Sequence, residues 1–380
     1  MYVVTQDDAD ITFHPFIHFN NLVNDTISKI RLPVLKSNNS KFILLFTTSD
    51  LNSIDLSNDT LIDFLKYRTE NKLPVYVVYD HSFEAHLTDD KINEIILFFK
   101  NLGLDVDNNL LIINSRSQSP TAPDNQNTNV LTYDQFVVDA FYWKTTIPRK
   151  FTELPLASRP NLANLIVSKL TEKKSRVELV YEFYKKNLLN QCLLSIMGTI
   201  DEFSYIDDSN FLIEIEQKLD NIGGNIASFQ EGMSNSEFGC QTSNRTIFNN
   251  SRLSCVHETS HFSSISNTWE GNGMITEKFY RAVLNKTPFI VFGYPNIYNR
   301  IRNKGFDTFN SIIDLTFDRV QDSAVKIKMY ADQVEKFLSI NPSKLVEIQE
   351  ICDNNYQKLM NDATKEYKIY KDRIQQFLNQ

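Results

Sequence analysis

The sequence predicts an α/β chain built as two consecutive doubly wound units and a helical tail. Three observations predict it. Short, wholly apolar strands alternate with helical segments, the pattern of a parallel sheet covered on both faces. The 380 residues exceed a single small module, and 42% hydrophobic with 12% aromatic residues can fill large cores. Only 10 glycines and no visible internal repeat exclude fibrous and repeat architectures.

The first unit reads from KFILLFT at 41–47, a fully buried strand, followed by a helix over 60–70. Pro74 opens a second buried strand, PVYVVY. DDKINEIILFFKNLGL carries apolar residues at helical spacing, and NLLIIN at 109–114 is a third strand. Residues 115–130 form a polar Pro/Ser/Asn loop, and 133–143 read as a helix.

A second series starts near Lys150. KFTEL reads as a strand, Asn161–Leu170 and Val177–Lys186 as helices, and CLLSIMG as a strand. Residues 234–252 are loop-like, RLSCVHET and HFSSIS are β-rich, Thr276–Asn285 is a helix and TPFIVFG is the last strand. The tail from Arg319 is nearly all helix, broken around Asn341-Pro342. The expected divisions are 1–147, 148–340 and a helical 341–380 able to pack back on the first unit. Ligands of such sheets bind beyond the carboxyl ends of the strands.

Charge and cysteines narrow the function. A net charge of −8 argues against a non-specific nucleic-acid binder, while leaving a local basic groove open. The 4 cysteines contain no CxxC pair, so neither a disulfide framework nor a thiolate zinc site is signalled. The amino terminus has no secretory pattern, and the apolar runs fall short of the ~20 residues of a membrane span. A cytoplasmic chain without a membrane partner is expected, of unspecified oligomeric state.

The densest chemistry lies between 253 and 309. Thr276 is an N-cap for TEKFYRAVLN, and a helix N-terminus is a ready anion site. Beside it Glu277 can accept hydrogen bonds from a ribose diol, and Lys278 can neutralise a diphosphate. By spacing alone, a capped surface helix with a solvated Glu-Lys pair is the simpler reading.

These residues resemble a known family. Val256-His257-Glu258-Thr259, Ile275–Lys278, Pro288–Gly293 and Gly305–Phe309 are similar to the donor-site signature of GT-B glycosyltransferases, which face two Rossmann-like domains across a cleft. Fucosyltransferase-like enzymes share the TEK core, and glycosyltransferase-like proteins of large bacteriophages share the longer form. The resemblance covers about 60 residues strongly and extends weakly to KFTELPLASRPNLANLIVSKL. His257 departs from it, standing where threonine is commoner.

The resemblance implies an N-terminal acceptor domain, a C-terminal donor domain and a metal-independent, inverting glycosyltransferase. It would use a UDP- or GDP-sugar, with no cofactor required. Glu277 would hold the ribose, Lys278 and Arg159 the phosphates, and Glu258 the sugar or the donor loop. The phage-type form points to a hydroxymethylated DNA base as the hydroxyl acceptor, with a glycan as the alternative.

A general base is expected from the first unit. PVYVVY ends in Asp80-His81-Ser82-Phe83-Glu84, ionisable groups at a carboxyl strand end. Glu84 is the first candidate, then Asp80 and His81; a polar loop capping the next helix fits the same residues. His14 and His18 read as structural, and Asp207-Asp208 as a solvated helix start.

One motif competes. His257-Glu258-Thr259-Ser260-His261 satisfies HExxH, a zinc-hydrolase pattern that needs both imidazoles on one helical face. Its β-branched and serine-rich flanks argue strand or loop, where the histidines stand ~13 Å apart. A catalytically silent sugar or nucleotide binder on the same fold is the third reading.

Overall fold

A computed structural model describes residues 2–5, 42–47, 66–67, 69–72, 75–81, 89–115, 130–134, 137, 154–170, 174–197, 199–221, 248, 250–258, 261–263, 268–270 and 275–378. The chain divides into two compact units, residues 1–139 with 364–380, and residues 140–363.

The first unit holds a sheet of five strands in the order of the chain: β1 (Tyr2–Thr5), β2 (Phe42–Thr47), β3 (Val75–His81), β4 (Leu110–Ser115) and β5 (Val130–Tyr133). β1 pairs antiparallel with β2, and the other pairings are parallel. Alternation sends Val75, Val77 and Tyr79 to one face, where they meet Ile92, Ile95 and Phe99 of helix α1 (Asp89–Asn101). The opposite face of β3 is also buried. There Tyr76 meets Phe377 edge to face, with ring centroids 5.5 Å apart. Gly103 (φ +83°) ends α1 in the left-handed region, with its N–H on Lys100 O, before the single turn α2 (Val106–Asn109).

The second unit contains a four-stranded parallel sheet ordered β11–β8–β6–β7, from β6 (Ala163–Lys169), β7 (Cys192–Met197), β8 (Ser254–His257) and β11 (Phe289–Phe292). Between β8 and β11, β9 (His261–Ser263) and β10 (Thr268–Glu270) form an antiparallel pair. The helices are α3 (Lys174–Lys185), α4 (Ser209–Asn221), α5 (Glu277–Leu284), α6 (Ile297–Asn303), α7 (Ser323–Leu338) and the 344–363 part of α8 (Lys344–Leu378), whose remaining residues belong to the first unit. Phe289 packs on Phe279 of α5 at 4.8 Å, while Phe292 packs on Tyr330 of α7 at 5.5 Å. Alternating residues of β11 thus face different helices, so every residue of the strand is apolar and buried.

Two sequence expectations change. Asn161–Leu170 forms strand β6 rather than a helix: a short Leu-Ile-Val run has no helical stripe, and pairing with β7 and β8 decides for strand. The stretch read as loop and then helix contains β5 at Val130–Tyr133. The helix over 60–70 lies largely outside the described residues, as do most of KFTEL, the 234–252 segment and both His14 and His18. No helix among the described residues is long and apolar enough to cross a membrane.

Candidate functional site

In a parallel sheet all carboxyl ends lie at one edge, and in the second unit that edge gathers Glu258, Thr276 and Lys278 of the predicted donor residues. β8 delivers His257 and Glu258 there, since Glu258 N–H extends the ladder to Phe292 O of β11 at 2.8 Å. Glu258 is 1% exposed, and both of its carboxylate oxygens accept from Thr276. Oε1 accepts from Thr276 N–H at 3.0 Å, and Oε2 accepts a short bond from the Thr276 hydroxyl.

Thr276 is the N-cap of α5. Its Oγ1 accepts from the Lys278 backbone N–H at 3.5 Å and from Lys278 Nζ at 3.2 Å. Glu258, Thr276 and Lys278 are therefore one buried hydrogen-bonded chain at the start of a helix. The caps and the helix dipole favour an anion at that end. Glu277 occupies the first helical position, and only its backbone is described.

His257 is fully buried, with Nδ1 2.9 Å from Glu258 O. A carbonyl only accepts, so Nδ1 carries the proton and Nε2 is a bare acceptor, without a hydrogen-bond partner among the described residues. Burial holds its pKa well below the ordinary histidine value, and the positive charges of Arg176 and Lys278 add to that. Arg176 is a member of this site that sequence reading missed. It lies in the first turn of α3, directly after β6, and is 3% exposed.

Behind the edge, buried Lys326 of α7 donates to Gly293 O at 2.7 Å, just after β11. It also lies 3.8 Å from Asp318, whose carboxylate accepts the Ile297 and Tyr298 N–H groups at the start of α6.

Arg159 is placed elsewhere. The resemblance implies a phosphate contact, but its guanidinium is 2% exposed and turned into protein. Nε donates to Leu154 O, Nη1 to Phe248 O, Ser251 O and Thr287 Oγ1, and Nη2 to Asn285 O and Lys286 O, at 2.8–3.3 Å. Every N–H it owns has an oxygen before it. These partners precede β8 and β11, so Arg159 ties the amino-terminal edge of the sheet, opposite Glu258 and Lys278.

The Gly305–Phe309 motif likewise has a packing account. Gly305 (φ +82°) ends α6, and a Cβ there would come within 2.3 Å of Lys358 Cε of α8. Asn355 of α8 brackets Asp307, donating to its carbonyl at 3.0 Å and accepting its N–H at 2.8 Å.

Asp80 and His81 end β3 at the carboxyl edge of the first unit's sheet, and their side chains lie outside the described set, as does all of Glu84. His257 closes β8 and His261 opens β9, so the helical face that the zinc pattern requires is absent.

No protein-family model matches the chain, and no curated protein matches its sequence. Among solved structures it is similar to the alpha,alpha-trehalose-phosphate synthase (UDP-forming) of Burkholderia vietnamiensis, at TM-score 0.38 and 11% identity over 84% of this chain and 71% of that one. The corresponding synthases of Burkholderia multivorans (TM-score 0.37, 10% identity, 84% and 70% covered) and Burkholderia xenovorans (0.36, 12%, 84% and 72%) give similar values. At these values the likeness assigns neither a family nor an activity.

Proposed function

We propose that this chain is a glycosyltransferase whose second unit binds the diphosphate of a nucleotide sugar at the carboxyl edge of its sheet. One observation carries the reading. Arg176 and Lys278, both nearly buried at helix starts, bring their positive charge to bear on His257 at the carboxyl end of β8, and Lys278 shares Thr276 with the Glu258 carboxylate. Positive charge gathered with a helix start at the carboxyl edge of a parallel sheet suits a bound anion.

In this reading Lys278 and Arg176 face the diphosphate, the capped start of α5 adds its dipole, and Glu277 accepts the ribose hydroxyls. Fixed positive charge then stabilises the leaving diphosphate without requiring a metal. Glu84 is the proposed base for the acceptor hydroxyl, with Asp80 and His81 next. The donor is a UDP- or GDP-sugar. A hydroxymethylated base of phage DNA is the acceptor that the phage-type motif suggests, and a glycan hydroxyl is the other.

Thermal unfolding against UDP-, GDP-, CDP- and dTDP-sugars tests the donor assignment, because a ligand at 100 times its Kd stabilises by about 2.7 kcal/mol. A shift for one nucleotide class supports it; no shift for any removes it. Stabilisation without transfer to any hydroxyl acceptor would leave a binder rather than an enzyme. Glu84→Gln should abolish transfer and preserve donor affinity.

A further inference from the structure

The second unit carries a solvent-open cavity of about 480 Å³ that the donor reading does not use. It is lined by Tyr298 and Arg302 of α6, by residues between 310 and 319 and by Lys336 near the end of α7. Its volume falls in the range of small-molecule sites, roughly 300–1,000 Å³.

Its lining carries three cations and two carboxylates. Arg302, Arg319 and Lys336 line it, all three exposed, and none has an ion-pair partner within 4.0 Å among the described residues. Two carboxylates share the wall, and both are engaged. Asp314 accepts the Thr316 N–H at 3.0 Å, which together with Lys336 holds its pKa low. Asp318 accepts the Ile297 and Tyr298 N–H groups and faces Lys326 from behind. The wall therefore keeps a surplus of positive charge. Two of its cations are arginines, whose planar forks match phosphate oxygens.

We propose that this cavity binds a phosphate-bearing small molecule, at a site whose lining includes none of Glu258, Thr276 and Lys278. Arg302 and Arg319 supply the forks, and Lys336 a third point charge. The rim is built without the buried Glu258–Thr276–Lys278 chain, so the two sites can be separated by mutation.

Calorimetric titration of the full chain with inorganic phosphate, at constant ionic strength in chloride, tests this. The wild type should show a binding component that Lys278→Met retains and that the double variant Arg319→Ala/Lys336→Ala weakens at least tenfold. All the substituted cavity side chains are exposed, so the double variant should keep the wild-type melting temperature without phosphate. Unchanged affinity in the double variant overturns the proposal. So does binding lost in Lys278→Met alone, which would put the phosphate at the carboxyl edge, and so does no binding at tens of millimolar. A cavity component retained in Lys278→Met, together with no nucleotide-sugar binding by the wild type, would sink the donor reading and leave this one standing.

Discussion

Glu258 and Thr276, 18 positions apart, are joined twice, through the Thr276 N–H at 3.0 Å and through its hydroxyl. A strand end and a helix start are thereby locked together in a buried site. Glu258→Ala would strand both donors of Thr276. The expected cost is about 1–3 kcal/mol in urea unfolding, the penalty of unsatisfied buried partners. Donor affinity should fall with it as the start of α5 loosens.

His257 gives stability an acid limit. Its folded pKa is pushed down by burial and by Arg176 and Lys278, so the unfolded chain takes up a proton that the folded one refuses. The stability present above pH 6.5 is therefore lost as pH falls below it, by up to about 1.4 kcal/mol per pH unit. His257→Gln should flatten that slope between pH 6.5 and 5 in parallel urea titrations. An unchanged slope would mean that His257 is not held neutral.

On the alkaline side, burial depresses Lys326 to about 8. Above that pH the unfolded chain keeps a proton that the folded one has released, so this group makes stability rise with pH. Burial raises the Cys255 thiol and the Tyr330 hydroxyl, and these oppose the rise once ordinary thiols ionise near pH 9. The gain should show between pH 8 and 9 and vanish in Lys326→Met.

Arg159 should behave as a structural tie. Lysine cannot reproduce five directed N–H groups, so Arg159→Lys should cost about 3–5 kcal/mol, the scale of breaking a buried charged network. A variant of normal stability that loses diphosphate affinity would instead make Arg159 a ligand residue.

How far the sequence carried depends on what each residue type declares. The apolar runs VYVVY, LLIIN and FIVF announced buried strands, and the Thr276 cap announced the start of α5. β6 was misread because a strand buried on both faces and a short buried helix share one composition. Arg159 was expected at the phosphates and Arg176 was passed over because a sequence shows charge but not burial. Arg159 stands in a proline-bearing stretch yet folds inward, while Arg176 sits in a Lys-Lys-Ser-Arg run with no motif to distinguish it from a surface cation. The topological rule that ligands meet the carboxyl ends of parallel strands could have singled out Arg176, had β6 been recognised as a strand.

The central claim is that the buried cations at the start of α5 and α3 hold a diphosphate. Its most direct measurement is calorimetry of wild type and Lys278→Met with the preferred nucleotide sugar and with the matching nucleoside. The account predicts at least tenfold weaker binding of the diphosphate sugar in the variant, with nucleoside affinity unchanged. Equal losses for both ligands, or unchanged affinity for the diphosphate sugar, would contradict it.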